Sequence, residues 1–204
     1  MHRSKAASRR WFDRRAGSYE GGATSRWRDP VQKASLAALD LTGDDLSWTS
    51  GAERVPPPAR RAPSRISSSG WTWPRRLIRR ATELATGVEN VRFVIADEQL
   101  PFDDGELTAV LCSNSFHHYP DPLLAVREMA RVLASDGRLV IGDACADLTT
   151  ARFADSILRR IEPGHVRLYR LSELGSFLQR SGFSRVMLRK LSGGGFAIVR
   201  GIAA

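Results

Sequence analysis

From residue 81 onward, short apolar runs alternate with stretches in which apolar residues recur every three or four positions. The runs 91–95 (VRFVI) and 107–112 (LTAVLC) read as short buried strands bounded by turn residues such as Asp103, Asp104 and Gly105. A helix is expected from Asp121 as N-cap with Pro122 at its first position, because Leu123, Val126, Ala130 and Leu133 recur at helical spacing. Asp136-Gly137 is expected to stop it. The next strand is 138–142 (RLVIG), followed by helices at 150–161 and 171–181, the latter ended by Gly182. Two final strands at 184–191 and 196–199 are close enough to pair antiparallel. Strands alternating with helices indicate an α/β fold, a doubly wound and mostly parallel sheet whose ligands bind at the carboxyl ends of its strands.

Residues 10–46 read as mostly helical, with Trp11, Phe12 and Tyr19 near the start and Val31, Leu36, Ala37 and Leu39 later. A strand should follow Thr42-Gly43-Asp44-Asp45. The chain instead offers Pro56, Pro57, Pro58, Pro63 and Pro74 and the run Ser67-Ser68-Ser69-Gly70, a composition that disfavours regular structure. The domain organisation expected is one domain over 1–204: a helical part at 1–46, an aberrant basic insert at 47–76, and the remaining α/β core at 77–204.

Charge sharpens this division. The chain of 204 residues has a formal net charge of +9, the kind of excess that often marks an anionic partner. Residues 47–80 hold 8 basic and 1 acidic side chains and three of the five tryptophans, whereas residues 81–204 hold 14 basic and 15 acidic. At 42% hydrophobic the chain is not wholly disordered, and no apolar run approaches the roughly 20 residues of a membrane-spanning helix. The basic N-terminus lacks the apolar core of a secretory signal. Cys112 and Cys145 sit inside apolar runs, as buried thiols of a reducing compartment would, so a cytoplasmic location is expected.

The stretch 93–122 (FVIADEQLPFDDGELTAVLCSNSFHHYPDP), followed by 124–141 (LAVREMARVLASDGRLVI), closely resembles the class I S-adenosylmethionine-dependent methyltransferases, and among them the small-molecule branch that includes quinone-biosynthesis enzymes. The resemblance covers about 10–46 and 77–204. It implies a Rossmann-like sheet of seven strands, S-adenosyl-L-methionine as cofactor and a small-molecule methyl acceptor. Missing are a first strand ending in a Gly-rich turn and a second ending in an acidic residue, the parts that hold the cofactor in that family.

The genetic code indicates where these parts went. Each codon's third base is taken with the next codon's first two, starting at Leu46. Trp48-Thr49 then must encode Asp, and its neighbours permit V, L, D, V, G, C, G, T, G in order. The same shift over 67–75 permits three apolar residues, Gly and Val, then forces Asp at Trp71-Thr72 and Ala at Trp73-Pro74. The forced aspartates stand 23 residues apart, and from about Leu77 the written frame again resembles the family. Residues of about 47–76 are therefore read as translated out of frame between two compensating indels. The first two strands are expected to be disrupted, 47–76 to show little regular structure and few buried contacts, and the chain as written to bind the cofactor weakly or not at all.

The resemblance implies that Asp97, just past the third strand, holds the adenine amino group, with Glu98 and Gln99 beside it; the other reading is a solvated loop acid. Ser113, Asn114 and Ser115 would line the cofactor's methionine side, or simply cap the next segment. His117 and His118 lie where acceptor and cofactor would meet. One could act as general base toward an acceptor hydroxyl, and packing weighs equally. No metal is assigned, since no Cys or acidic residue lies at ligand spacing from the pair. Tyr19 either covers the cofactor or is an ordinary core or surface aromatic. A competing function is nucleic-acid binding through 54–80, where Arg60, Arg61, Arg65, Arg75, Arg76, Arg79 and Arg80 alternate with Trp71 and Trp73. The forced codons explain those residues without it. A non-catalytic methyltransferase remnant is the other alternative. A nicotinamide oxidoreductase is disfavoured, because no in-frame G-x-G-x-x-G exists.

Overall fold

A computed structural model of the chain describes residues 25–42, 45–50, 67–68, 99–162 and 164–204. Strands β1 (Ser47–Ser50), β2 (Ser67–Ser68), β3 (Leu107–Ser113), β4 (Leu133–Ala144), β5 (Ser184–Leu191) and β6 (Phe196–Ile202) form one sheet in the order β2-β1-β3-β4-β6-β5. The first four run parallel, while β6 is antiparallel to both β4 and β5. The helices are α1 (Ser25–Leu39), α2 (Pro122–Val132), α3 (Thr149–Ile161) and α4 (Leu171–Arg180). None of the described helices is long and apolar enough to cross a membrane.

The centre of the sheet follows from composition. Strand β3 lies between parallel neighbours, and all of it except Thr108 is buried, as its unbroken apolar run requires. Helix α1 covers one face with Val31, Ser35 and Leu39, one helical turn apart and all buried. Ser35 lies over Gly142 so closely that a Cβ there would sit 1.9 Å from its Oγ, so the approach depends on glycine. Between α1 and β1, the buried Asp45 carboxylate accepts from the Thr42 N–H at 2.6 Å and the Thr108 hydroxyl at 2.7 Å, and pairs with Arg138 at 2.5 Å.

Helix α2 begins as expected: Asp121 Oδ1 accepts from the Leu124 N–H at 3.0 Å ahead of Pro122. It ends earlier than its periodicity indicates. Leu133 is extended and buried, the first residue of β4, and pairs with Leu107. Pairing against β3 outcompetes another helical turn, and the reversal falls at Asp136, with φ +62°. The late antiparallel pair and the stop at Gly182, φ +89°, are as expected.

The expectation for 47–76 needs correcting at two places. Ser47–Ser50 forms a strand in the middle of the sheet, pairing Trp48 with Ser67 on one side and Val110 on the other, and Trp48 is fully buried. An uncovered β3 edge would leave a row of unpaired backbone groups, so backbone pairing prevails over the polar side chains of this segment. The stretches 51–66 and 69–98 lie outside the described residues, and with them the expected strand at 91–95 and the arginine-rich run.

Candidate functional site

The carboxyl ends of β3 and β4 are neighbours, with Ser113 paired to Gly142. After β3 the chain turns at Asn114, φ +48°, whose N–H donates to the Gly142 carbonyl at 2.8 Å. Ser115 then precedes a single 3-10 turn, Phe116–His118. Phe116 anchors that turn: it is fully buried, against the rings of Tyr119, Tyr169 and Phe177 at 5.4–6.2 Å. The two histidines that follow are thereby held over the end of β4.

There the buried Asp143 carboxylate accepts from the His117 backbone N–H at 3.0 Å and from its Nδ1–H at 2.7 Å. His118 Nδ1 donates to the Gly164 carbonyl at 3.0 Å, and its Nε2 lies 3.8 Å from Glu162 Oε1. The two rings are 4.1 Å apart. A third imidazole, His165, lies 5.2 Å from His117 and binds Asp155 through Nε2 at 2.7 Å. Asp155 also accepts from the Leu168 N–H at 2.7 Å and from Arg159. The His117 carbonyl accepts from the Val166 N–H at 2.9 Å, which fastens this segment to the turn.

The electrostatics separate these groups. Burial opposes a charge on His117, but the Asp143 carboxylate outweighs it and raises the imidazole's pKa. Burial, reinforced by His117, pushes His118 down to about 3, so it is neutral near neutral pH. Burial and then His117 also lower His165. Asp143 is held below the usual carboxylate range despite its burial, through His117.

Of the residues singled out from sequence, the fold brings Ser113, Asn114, Ser115, His117 and His118 to one end of the sheet. Ser113 and Ser115 are buried; Ser115 Oγ lies 3.3 Å from Cys112 Sγ, and Asn114 Nδ2 donates to Ser113 Oγ at 3.2 Å. Tyr19, Asp97 and Glu98 lie outside the described residues, and Gln99 is exposed. Sequence reasoning missed Asp143, Asp155, Glu162 and His165. An acid in an apolar strand end, "LVIGDA", was a usable signal for Asp143; nothing local marked the others. In the sequence no Cys or acidic residue stands at ligand spacing from the histidines; in space the end of α3 delivers Glu162 to them across a long stretch of sequence.

An α/β sheet of this order, with polar groups gathered at the carboxyl ends of its parallel strands, defines a doubly wound ligand-binding domain. Residues 71–141 match the family model described as Methyltransferase domain. The uncharacterized methyltransferase YcgJ of Bacillus subtilis is 43% identical over 90 residues, 43% of this chain and 36% of that protein. A demethylmenaquinone methyltransferase of Thermus thermophilus is 33% identical over 121 residues, 59% of this chain and 54% of that protein. The chain thus spans about a third to a half of these relatives' length. The crystal structure of YcgJ shares the fold, with a TM-score of 0.68 at 19% identity over 86% of this chain and 98% of that one. Over residues 71–141 the chain is therefore similar in sequence to methyltransferase domains, and its fold is the one that YcgJ has.

The described residues can be tested against S-adenosylmethionine, the cofactor that the sequence resemblance implies. The polar end of β3 is in place. Beside it, β1 ends at Ser50, and the sequence that follows, Gly51-Ala52-Glu53-Arg54, holds no Gly-rich motif. Within β1 the buried Trp48 indole N–H has no hydrogen-bond partner, a defect in the strand that should support the cofactor. The residues as written do not fit the whole group.

Proposed function

We propose that this chain derives from an enzyme that transfers a methyl group from S-adenosylmethionine to a small-molecule acceptor, with His117 and His118 as the groups that activate the acceptor. The observation that carries this reading is the methyltransferase-domain match of residues 71–141, joined to a sheet whose β3 and β4 ends bring His117 onto Asp143 at 2.7 Å. Methyl transfer is an in-line displacement in which the cofactor supplies the reactive group and the protein orients the partners. The ionised Asp143 keeps the proton on His117 Nδ1, so the Nε2 lone pair is the reactive one. The name of the Thermus relative, a demethylmenaquinone methyltransferase, supports an acceptor carrying a ring oxygen or an activated ring carbon.

We also propose that 47–76 is an out-of-frame segment. Ser47–Ser50 and Ser67–Ser68 sit side by side in parallel slots where buried strands are normally rich in Val, Ile and Leu. These are the two stretches for which the shifted reading permits apolar residues. Resequencing codons 44–80 tests the premise, and a gene that reads in frame throughout without a Gly-rich motif refutes it. Calorimetry tests the function. The frame-restored chain should bind S-adenosylmethionine with micromolar affinity, and the chain as written weakly or not at all. Failure of the restored chain to bind, or micromolar binding by the chain as written, would overturn this account. Screening cell extracts with the restored enzyme, for products heavier by one methylene, would then identify the acceptor.

A further inference from the structure

We propose that His117, His118 and Glu162 form a binding site for a divalent transition-metal cation, zinc in the first instance. One potential ligand atom from each residue lies within 4.8 Å of the others. His118 Nε2 and Glu162 Oε1, at 3.8 Å, are too far apart for a hydrogen bond. Two ligands on one tetrahedral zinc, each about 2.0–2.1 Å from it, stand roughly 3.4 Å apart. A contraction of a few tenths of an ångström would bring that pair to ligand spacing, with the His117 atom closing from within 4.8 Å.

Both imidazoles are oriented as metal ligands are. A backbone carbonyl can only accept, so the bond to Gly164 puts the His118 proton on Nδ1 and leaves Nε2 as the acceptor nitrogen. The Asp143 carboxylate does the same for His117. A carboxylate or carbonyl behind each ligating imidazole is the usual outer-sphere arrangement of protein metal sites. Glu162 and Asp143 set two carboxyl groups beside the imidazoles, the complement of a dication. Two nitrogens and one oxygen suit zinc or its neighbours better than magnesium.

A second observation points the same way. His165 is fully buried, its Nε2–H is given to Asp155, and its Nδ1 has no hydrogen-bond partner. That nitrogen needs a donor, and water bound to a metal ion is a strong one. With the ion bound the imidazole lone pairs are its ligands, so the ion in place of a free imidazole would take the acceptor oxygen in a remaining position and lower its proton affinity. This role, though not the ion binding, rests on the methyltransferase reading. It narrows the acceptor to molecules that offer a hydroxyl, enol or phenol oxygen.

The test is titration of chelator-treated chain with zinc chloride by calorimetry, and with cobalt(II) by visible absorption, which reports ligand geometry. One equivalent should bind with micromolar or tighter affinity, and cobalt should show the intense bands of a four- or five-coordinate site. Glu162→Gln and His118→Ala, checked for native circular dichroism, should weaken binding at least about tenfold, and Asp143→Asn roughly 10–100-fold. Should the chain as written aggregate, the frame-restored chain carries the same residues and takes the same titration. Absence of saturable binding by folded protein, or affinities unchanged in the Glu162 and His118 variants, would overturn the proposal. Methyl transfer by the restored enzyme after exhaustive chelation would remove the ion's role and leave the methyltransferase reading standing.

Discussion

Removing the Asp143 carboxylate should damage the site and the fold together. It is 2% exposed and accepts three N–H groups, from His117 twice and from Ala144 at 2.7 Å. In Asp143→Ala all three donors lose their partner at a cost of about 1–3 kcal/mol each, and relief from burying the carboxylate offsets part of that. A net loss of about 3–5 kcal/mol is expected, the range for deleting one member of a buried pair. Asp143→Asn keeps one acceptor but turns an NH2 toward a donor, so about 1.5–3 kcal/mol should be lost. Urea unfolding measures both values. Long-range proton–nitrogen correlation spectra of the histidine ring report the tautomer directly: His117 should carry its proton on Nδ1 in the parent chain and lose that preference in the alanine variant. Both variants within about 0.5 kcal/mol of the parent, with an unchanged tautomer, would refute the reasoning, since that is the scale of a neutral surface change.

Three further outcomes follow from the packing. Asp45 is desolvated, yet its bonds to Thr108 and Thr42 and its pairing with Arg138 hold it below the ordinary carboxylate value. The stability it contributes should be complete above the unfolded pKa of about 3.9 and be lost as pH falls through the lower folded value, a slope that Asp45→Asn flattens in acid-unfolding curves. Gly142→Ala should destabilise by about 1–3 kcal/mol through its clash with Ser35. Ser35→Gly should recover part of that loss, and additivity in the double-mutant cycle would contradict the contact. Trp48→Phe removes an indole N–H with no partner, worth about 1–3 kcal/mol. Each buried carbon lost costs about 0.8 kcal/mol, so thermal unfolding should register a change within about 1 kcal/mol; a loss above about 3 kcal/mol would mean the N–H is satisfied in solution.

Much of the fold was legible in the residues. The run 107–112 could only be a buried strand. Asp121-Pro122 marked the start of α2, Gly182 the end of α4, and the spacing of the last two strands their antiparallel pairing. The misjudged boundary, Leu133, has the helical spacing of its predecessors, and only β3 beside it makes it a strand residue. The polar segment 47–50 was misjudged for a similar reason: its side chains disfavour a central strand, while the exposed edge of β3 demands one. The histidine pair was visible as candidate chemistry, but its partners were not. Glu162, Gly164 and His165 lie on the segment after α3, and nothing in their local pattern ties them to the 3-10 turn.

By itself the sequence determined the alternation of strands and helices and a likeness to methyltransferase domains, because periodicity, capping residues and motif order act over a few neighbouring positions. Only the tertiary structure decided that His117 rests on Asp143, that His118 and Glu162 face one another and that His165 keeps an unpartnered nitrogen beside them. Those meetings depend on which strand ends are neighbours in the sheet and where the chain after α3 crosses them.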